Sequence, residues 1–156
     1  MNGFAVFFLF LILILILVII VIVWVFVRYS KPKQEYGVKS VTLRGETVKS
    51  IGERRIADYL TKNHIYYLYE QKPRGNLYTL PDFYLPVYDV YVEYWGLVDV
   101  DDRWTREKYE RNMKRKMAIY HRNNIKFISI YPDNLENLDW IFRRKFKEVT
   151  GIELLY

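Results

Sequence analysis

The stretch "LPDFYLPVYDVYVEYWG", Leu80 to Gly96, decides how the rest of this chain is read. It belongs to two β-prone runs, "LYTLPDFYLP" and "VYDVYVEYWG", with Pro86 near the turn between them. A period of two sets Tyr91, Glu93 and Trp95 on one face of the second run, and Val90, Val92 and Tyr94 on the other. Both faces are apolar or aromatic, as expected of a central strand. A carboxylate in such a strand is costly unless it is paired or bound to a metal. A hairpin would bring Asp82, in the preceding strand, near Glu93. Two adjacent oxyanions repel, and a divalent cation relieves the repulsion; Mg²⁺ takes one or two carboxylates and fills its other positions with water and phosphate. The alternative is a pair of edge-exposed acids, which ordinary strands carry.

Working outward, "SIGERRIADYLTKN" is expected to be a helix capped by Ser50, with Ile56, Ala57 and Leu60 at helical spacing. "HIYYLYE" is short, aromatic and alternating, hence a strand. "KPRGN" breaks the chain before the two acid-bearing runs. After them come a basic amphipathic helix, "TREKYERNMKRKMAIYHRN", and a strand, "IKFISIYP". The last helix, "DNLENLDWIFRRKFKEVTG", has Asp133 or Asn134 at its start and Gly151 just past its end. The order predicts an α/β body with a mixed sheet, in which neighbouring strands form a meander and the last arrives through a helical crossover.

The N-terminal part is of a different kind. Phe4 to Val27 is a run of 24 apolar residues without charge, Gly or Pro. As a helix it would be roughly 36 Å long, enough to cross a hydrocarbon core of about 30 Å. No basic stretch precedes it and no small-residue cleavage site ends it, so a retained anchor is expected rather than a signal peptide. Arg28, Lys31 and Lys33 follow the run directly. Positive flanks stay in the cytoplasm, which predicts a single-pass protein with its N-terminus outside and its C-terminal domain cytoplasmic. Trp24 and Tyr29 suit the interfacial aromatic belt. The expected organisation is an anchor with its flanks over 1–29, a linker over 30–49 with a short strand at "VKSVTL", and one domain over 50–156.

All 24 Lys and Arg and all 18 acidic residues lie from Arg28 onward, so the net charge of +6 belongs to the body and its flank. Such a body suits nucleic acid or anionic lipid. The absence of cysteine excludes disulfides and thiolate metal sites, and only His64 and His121 could serve as imidazole ligands. A metal here would be held mainly by oxygen. Glu53 completes the pattern S-x-x-E from Ser50, a capping box, yet it also shares a stripe with Ile56, Ala57 and Leu60 that points to the sheet. Both roles stay open. Lys116 falls on one helical arc with Tyr109, Met113, Met117 and Tyr120, whereas Lys114 and Arg115 fall outside it. It is either a lysine snorkelling at the stripe's edge or an ammonium delivered to the acids. Arg143, Arg144, Lys145 and Lys147 are expected to form a solvated or membrane-facing patch. Asp99, Asp101 and Asp102 look like a fragment of a calcium loop, without the Gly and Glu that an EF-hand needs. No P-loop, GxSxG or GxGxxG is present.

Taken together, "GERRIADYL", "YLYE", "PDFYLP" and "VEYWG", in that order, resemble the PD-(D/E)xK nuclease superfamily, and more narrowly the nuclease-like domains found attached to some superfamily 1 helicases. The resemblance spans roughly Ser50 to Leu138. It implies a restriction-endonuclease-like αβββαβ core with a mixed central sheet, preceded here by one transmembrane helix. The lysine usual two residues after the second strand acid would fall at Trp95; in the similar subfamily it lies on the following helix in a Y-x6-K-x3-[YH] arrangement, matched by Tyr109, Lys116 and Tyr120. The implied activity is hydrolysis of DNA, or of RNA, with Mg²⁺ or Mn²⁺. The implied site is Glu53, Asp82, Glu93 and Lys116, with the metal on Asp82 and Glu93 and Glu53 reaching the same centre. The bilayer, through residues 4–27, is a further expected partner, and a protein partner or homodimer is compatible with this reading. The rivals are a catalytically silent module tethering nucleic acid or a protein at the membrane, and a structural protein whose basic face binds anionic lipid.

Overall fold

The computed structural model describes residues 3–29, 37–73 and 77–155, and the chain divides between Gln34 and Glu35 into two units. The first is one helix, α1 (Gly3–Tyr29), whose Phe7–Val25 portion has a mean hydropathy of 3.8 and is unburied within the protein. It is long and apolar enough to span a membrane. Lys31 and Lys33, in the expected flank, lie outside the described residues, as does part of "KPRGN".

The second unit begins with a hairpin, β1 (Ser40–Val41) and β2 (Thr47–Val48), set in the stretch expected to be linker. Val48 is buried, and the Leu43 amide donates to Asp58 Oδ1 at 2.8 Å, tying the hairpin to the next helix. That helix, α2 (Ile51–Lys62), starts where Ser50 Oγ accepts from the Glu53 amide at 3.1 Å. A four-stranded sheet follows in the order β3 (Leu68–Tyr69), β4 (Phe83–Leu85), β5 (Val90–Tyr94), β6 (Phe127–Ile130). The first three strands run antiparallel as a meander. The last pairs parallel with β5 after the crossover helix α3 (Arg103–Arg122), and α4 (Leu138–Thr150) closes the chain. The expected mixed sheet is therefore present, with the acid-bearing β5 inside it.

The alternation read from the sequence assigns the two faces of the sheet. Val90 and Val92, with Phe83, Leu85, Ile128 and Ile130, join Ile56 and Leu60 of α2 and Phe142 and Phe146 of α4 in one apolar core. On the opposite face Tyr91 stacks on Tyr84 and faces Tyr120 of α3, which also packs on Phe127. The sheet lies between α2 and α4 on one side and α3 on the other.

Several expectations need correction. The expected strands are longer than the paired ones: "HIYYLYE" pairs only at Leu68–Tyr69, opposite Phe83–Tyr84 of the three-residue β4, and His64 lies in the turn after α2 with a left-handed φ of 56°. The third helix begins at Arg103 rather than Thr105, since Asp102, set aside as a calcium-loop fragment, accepts from the Thr105 amide at 2.8 Å and caps it. The last helix does not start at Asp133 or Asn134. Pro132–Leu135 form a 3-10 turn, and the α-helix starts after Asn137. Asn134 Oδ1 takes the Tyr131 amide at 3.1 Å and the Leu135 carbonyl takes Arg55 Nη2 at 2.7 Å, so local and tertiary partners replace the helical ladder there. Gly151, at φ 73°, ends α4 as expected.

One close approach joins α2 to β5. A Cβ on Gly52 would stand 2.2 Å from the Tyr94 ring, and one on Gly96 would stand 2.6 Å from Tyr94 Cε1, so the ring occupies the space that both glycines leave open. Gly52→Ala would gain about 1 kcal/mol of helix propensity against an overpacking cost of about 1–3 kcal/mol. The overpacking is expected to win. Thermal unfolding of the full chain in detergent, followed by near-UV circular dichroism, should place the variant's midpoint about 3 °C lower.

Candidate active site

The register of the β4–β5 hairpin pairs Phe83 with Val92, and one step further along it places Asp82 opposite Glu93. Glu93 is 1% exposed, which for a carboxylate demands partners. Among the described residues it has two, both from α3. Lys116 Nζ donates to Glu93 Oε2 at 2.7 Å, and the Tyr120 hydroxyl makes a short hydrogen bond to Glu93 Oε1. Lys116 also donates to the Leu80 carbonyl at 2.7 Å, and its ammonium stands 5.6 Å from the centre of the Trp95 ring. Thr79 Oγ1 lies 3.3 Å from the Tyr120 hydroxyl. The segment leading into Pro81-Asp82 is thus fastened to the same two α3 side chains that hold Glu93.

Asp82 is held differently. Its Oδ2 accepts from the Tyr94 amide at 2.6 Å, while its own carbonyl accepts from the Glu70 amide at 2.9 Å. Desolvation, then the charge of Glu93 and of Glu53, push the Asp82 carboxyl well above the usual carboxylate range, against the opposing Tyr94 amide and Lys116. Desolvation also raises Glu93, in spite of Lys116 and Tyr120. Burial raises the Tyr120 phenol, and the Glu93 charge adds to it. With Asp82 and Glu93 both ionised, the centre would carry more negative charge than Lys116 neutralises.

Glu53 has structural partners and stands near enough to that centre for its charge to act on Asp82 and Glu93. Its Oε2 accepts from the Lys49 amide at 2.9 Å and the Tyr69 hydroxyl at 2.6 Å, and its Oε1 from Ser50 Oγ at 3.0 Å. The capping function is therefore made with Lys49 rather than with the Ser50 amide, and Tyr69 is a partner that strand periodicity alone did not single out. Among the described residues no group of three His, Asp or Glu side chains is arranged to hold a metal ion. Asp82 and Glu93 remain as a pair, two oxygen donors with an excess of negative charge when both are ionised, and such a set fits a hard divalent cation that completes its shell with water and phosphate. Trp95 is buried, and its indole Nε1 has no acceptor among the described residues.

Of the basic residues expected to form a solvated or membrane-facing patch on α4, two are half-buried and turned to backbone. Lys145 Nζ donates to the Ser129 carbonyl at 2.6 Å and to Asn134 Oδ1 at 3.1 Å, and desolvation lowers its pKa. Arg143 Nη1 donates to the Leu154 carbonyl at 2.8 Å, holding the C-terminal segment. They fasten backbone rather than face a ligand. The larger basic surface is α3. It carries eight Lys and Arg against two Glu, a surplus of six that equals the formal charge of the whole chain.

No protein-family model, curated protein or solved structure matches the chain.

Raised carboxyl pKa values mean that folding takes up protons. The associated stability is present below the ordinary carboxylate range near pH 4 and is lost as pH rises through the shifted values. With EDTA present, the midpoint of the full chain should therefore fall between about pH 4 and neutrality. Asp82→Asn keeps an acceptor for the Tyr94 amide and removes one buried charge, so it should flatten that fall and unfold about 3 °C higher at neutral pH. Mg²⁺ or Mn²⁺ in excess should raise the midpoint of the unaltered protein and leave the variant where it was.

Proposed function

We propose that this protein is a membrane-anchored, divalent-metal-dependent nuclease of the PD-(D/E)xK type, hydrolysing phosphodiester bonds of DNA. The contact that carries the reading is Lys116 Nζ on Glu93 Oε2 at 2.7 Å. It joins a lysine chosen by helical arc and motif spacing to a strand acid chosen by its unfavourable surroundings. The run of elements from α2 to β6, in the order αβββαβ, supports a restriction-endonuclease-like core. The surplus charge on α3 supports a polyanionic substrate.

In this reading Asp82 and Glu93, with a backbone carbonyl from the same strand region, would hold Mg²⁺ or Mn²⁺, which would supply a water of lowered pKa and a polarised phosphate. Lys116 has three N–H donors. Two serve Glu93 and Leu80, and the third is directed to charge growing on the phosphoryl oxygens. Tyr120 positions Glu93 through its hydrogen bond. Glu53 adds negative charge to the centre while it holds the Lys49 and Tyr69 edge. The body is cytoplasmic and the N-terminus outside, on the strength of Arg28, Lys31 and Lys33 after the apolar run.

The test is cleavage of supercoiled plasmid and labelled single strands by the full chain in lipid nanodiscs, with Mg²⁺, Mn²⁺ or EDTA. Cutting should require the metal and fall at least about 100-fold in Asp82→Asn and in Lys116→Ala. A protein that binds DNA yet cuts nothing with either metal would instead be a tethering module.

A further inference from the structure

Beside the Lys116 centre runs a groove of 540 Å³ between the Leu77–Leu80 segment and α3. Lys116 itself lines it, and so do Asn112, Arg115 and Arg122 from the helix and Asn123 at its C-cap, with Tyr78 on the other segment. We infer that this groove holds a single-stranded segment of polynucleotide next to the bond to be cleaved. The inference rests on the proposed nuclease reading and narrows its substrate class.

Three features point to a single strand. Tyr78 is fully exposed, with its ring in solvent, although its neighbour Thr79 is buried against Tyr120. A solvent-facing ring on a fixed segment is a stacking platform that accepts any base. The helical wall offers two guanidiniums for phosphates and two carboxamides that can both donate and accept at base edges. The volume is that of a small-molecule pocket rather than of a duplex-wide cleft. Contact with the chemistry is direct, because Leu80, on the groove's wall, accepts from the same Lys116 ammonium that binds Glu93. A base stacked on Tyr78 would thus lie on the strand whose phosphate meets Lys116.

Fluorescence anisotropy on the full chain in uncharged nanodiscs, with EDTA to prevent turnover, tests this. The probes are labelled oligo(dT) and oligo(rU) of about 16 nucleotides and a duplex of the same length. One or both single strands should bind about 10-fold tighter than the duplex, and the tighter arm tells DNA from RNA. Tyr78→Ala should weaken single-strand binding about 10-fold, Tyr78→Phe should restore it, and duplex binding should not change. Arg115→Gln with Arg122→Gln should lower the salt slope on single strands by about 1.4. Equal affinity for duplex, or single-strand affinity indifferent to Tyr78→Ala, overturns the inference. Tyr78-dependent binding in a protein that cuts nothing with any metal supports the groove and removes the nuclease. Metal-dependent cutting with Tyr78→Ala binding unchanged does the reverse.

Discussion

Glu93 is a carboxylate on the inner strand of a small sheet, with 1% of its surface left to water. An uncompensated charge there would cost several kcal/mol, a large part of the stability of a domain this size. The compensation comes from Lys116 and Tyr120, four residues apart and so on one face of α3. That requirement fixes where α3 crosses the sheet and which way it is rotated. It also leaves the helix's remaining charge outside, since Lys114 and Arg115 cannot face inward while Lys116 does. The position of the basic surface follows from one buried ion pair.

The same pair fastens the approach to Asp82. Lys116 reaches the Leu80 carbonyl and Tyr120 approaches Thr79, so a segment with no ladder of its own is fixed by side chains from the helix. Asp82 then needs only the hairpin register and the Tyr94 amide to stand beside Glu93. The Tyr94 ring in turn occupies the space that two glycines leave open. Desolvation of charge gathers at this one end of the sheet, where α2, β4, β5 and α3 converge, while the opposite face is an apolar core of ordinary composition. Such an uneven distribution marks this end as the candidate site.

Much of this was legible in the residues. Periodicity separated Val90 and Val92 from Tyr91 and Glu93, and those sets face the apolar core and α3 respectively. The arc through Tyr109, Lys116 and Tyr120 selected one lysine among eight basic residues on the helix, and it is the one that meets the strand acid. Local chemistry also sufficed for Ser50 and Gly151, because caps are made by neighbours in sequence. The Asp102 cap obeys the same rule, and the carboxylate three residues before Thr105 was the signal for it.

The remainder depended on partners distant in the chain. Lys145 and Arg143 look solvent-facing by helical position, yet both end on backbone carbonyls 11 or 16 residues away. Glu53 could be a cap or face the sheet by pattern; Tyr69, 16 residues on, helps commit its carboxylate to the edge of α2. Of the Ser40–Val48 hairpin only the first strand, within "VKSVTL", was expected; its partner Thr47–Val48 is too short to show a period, and the hairpin is held through Asp58 on α2. By itself the sequence determined the apolar span, the order of elements and which residues share a face, because these follow from spacing along one backbone. Only the tertiary structure decided which charges are paired and which groove adjoins them, because a charge takes its partner from whatever the fold brings within about 3 Å.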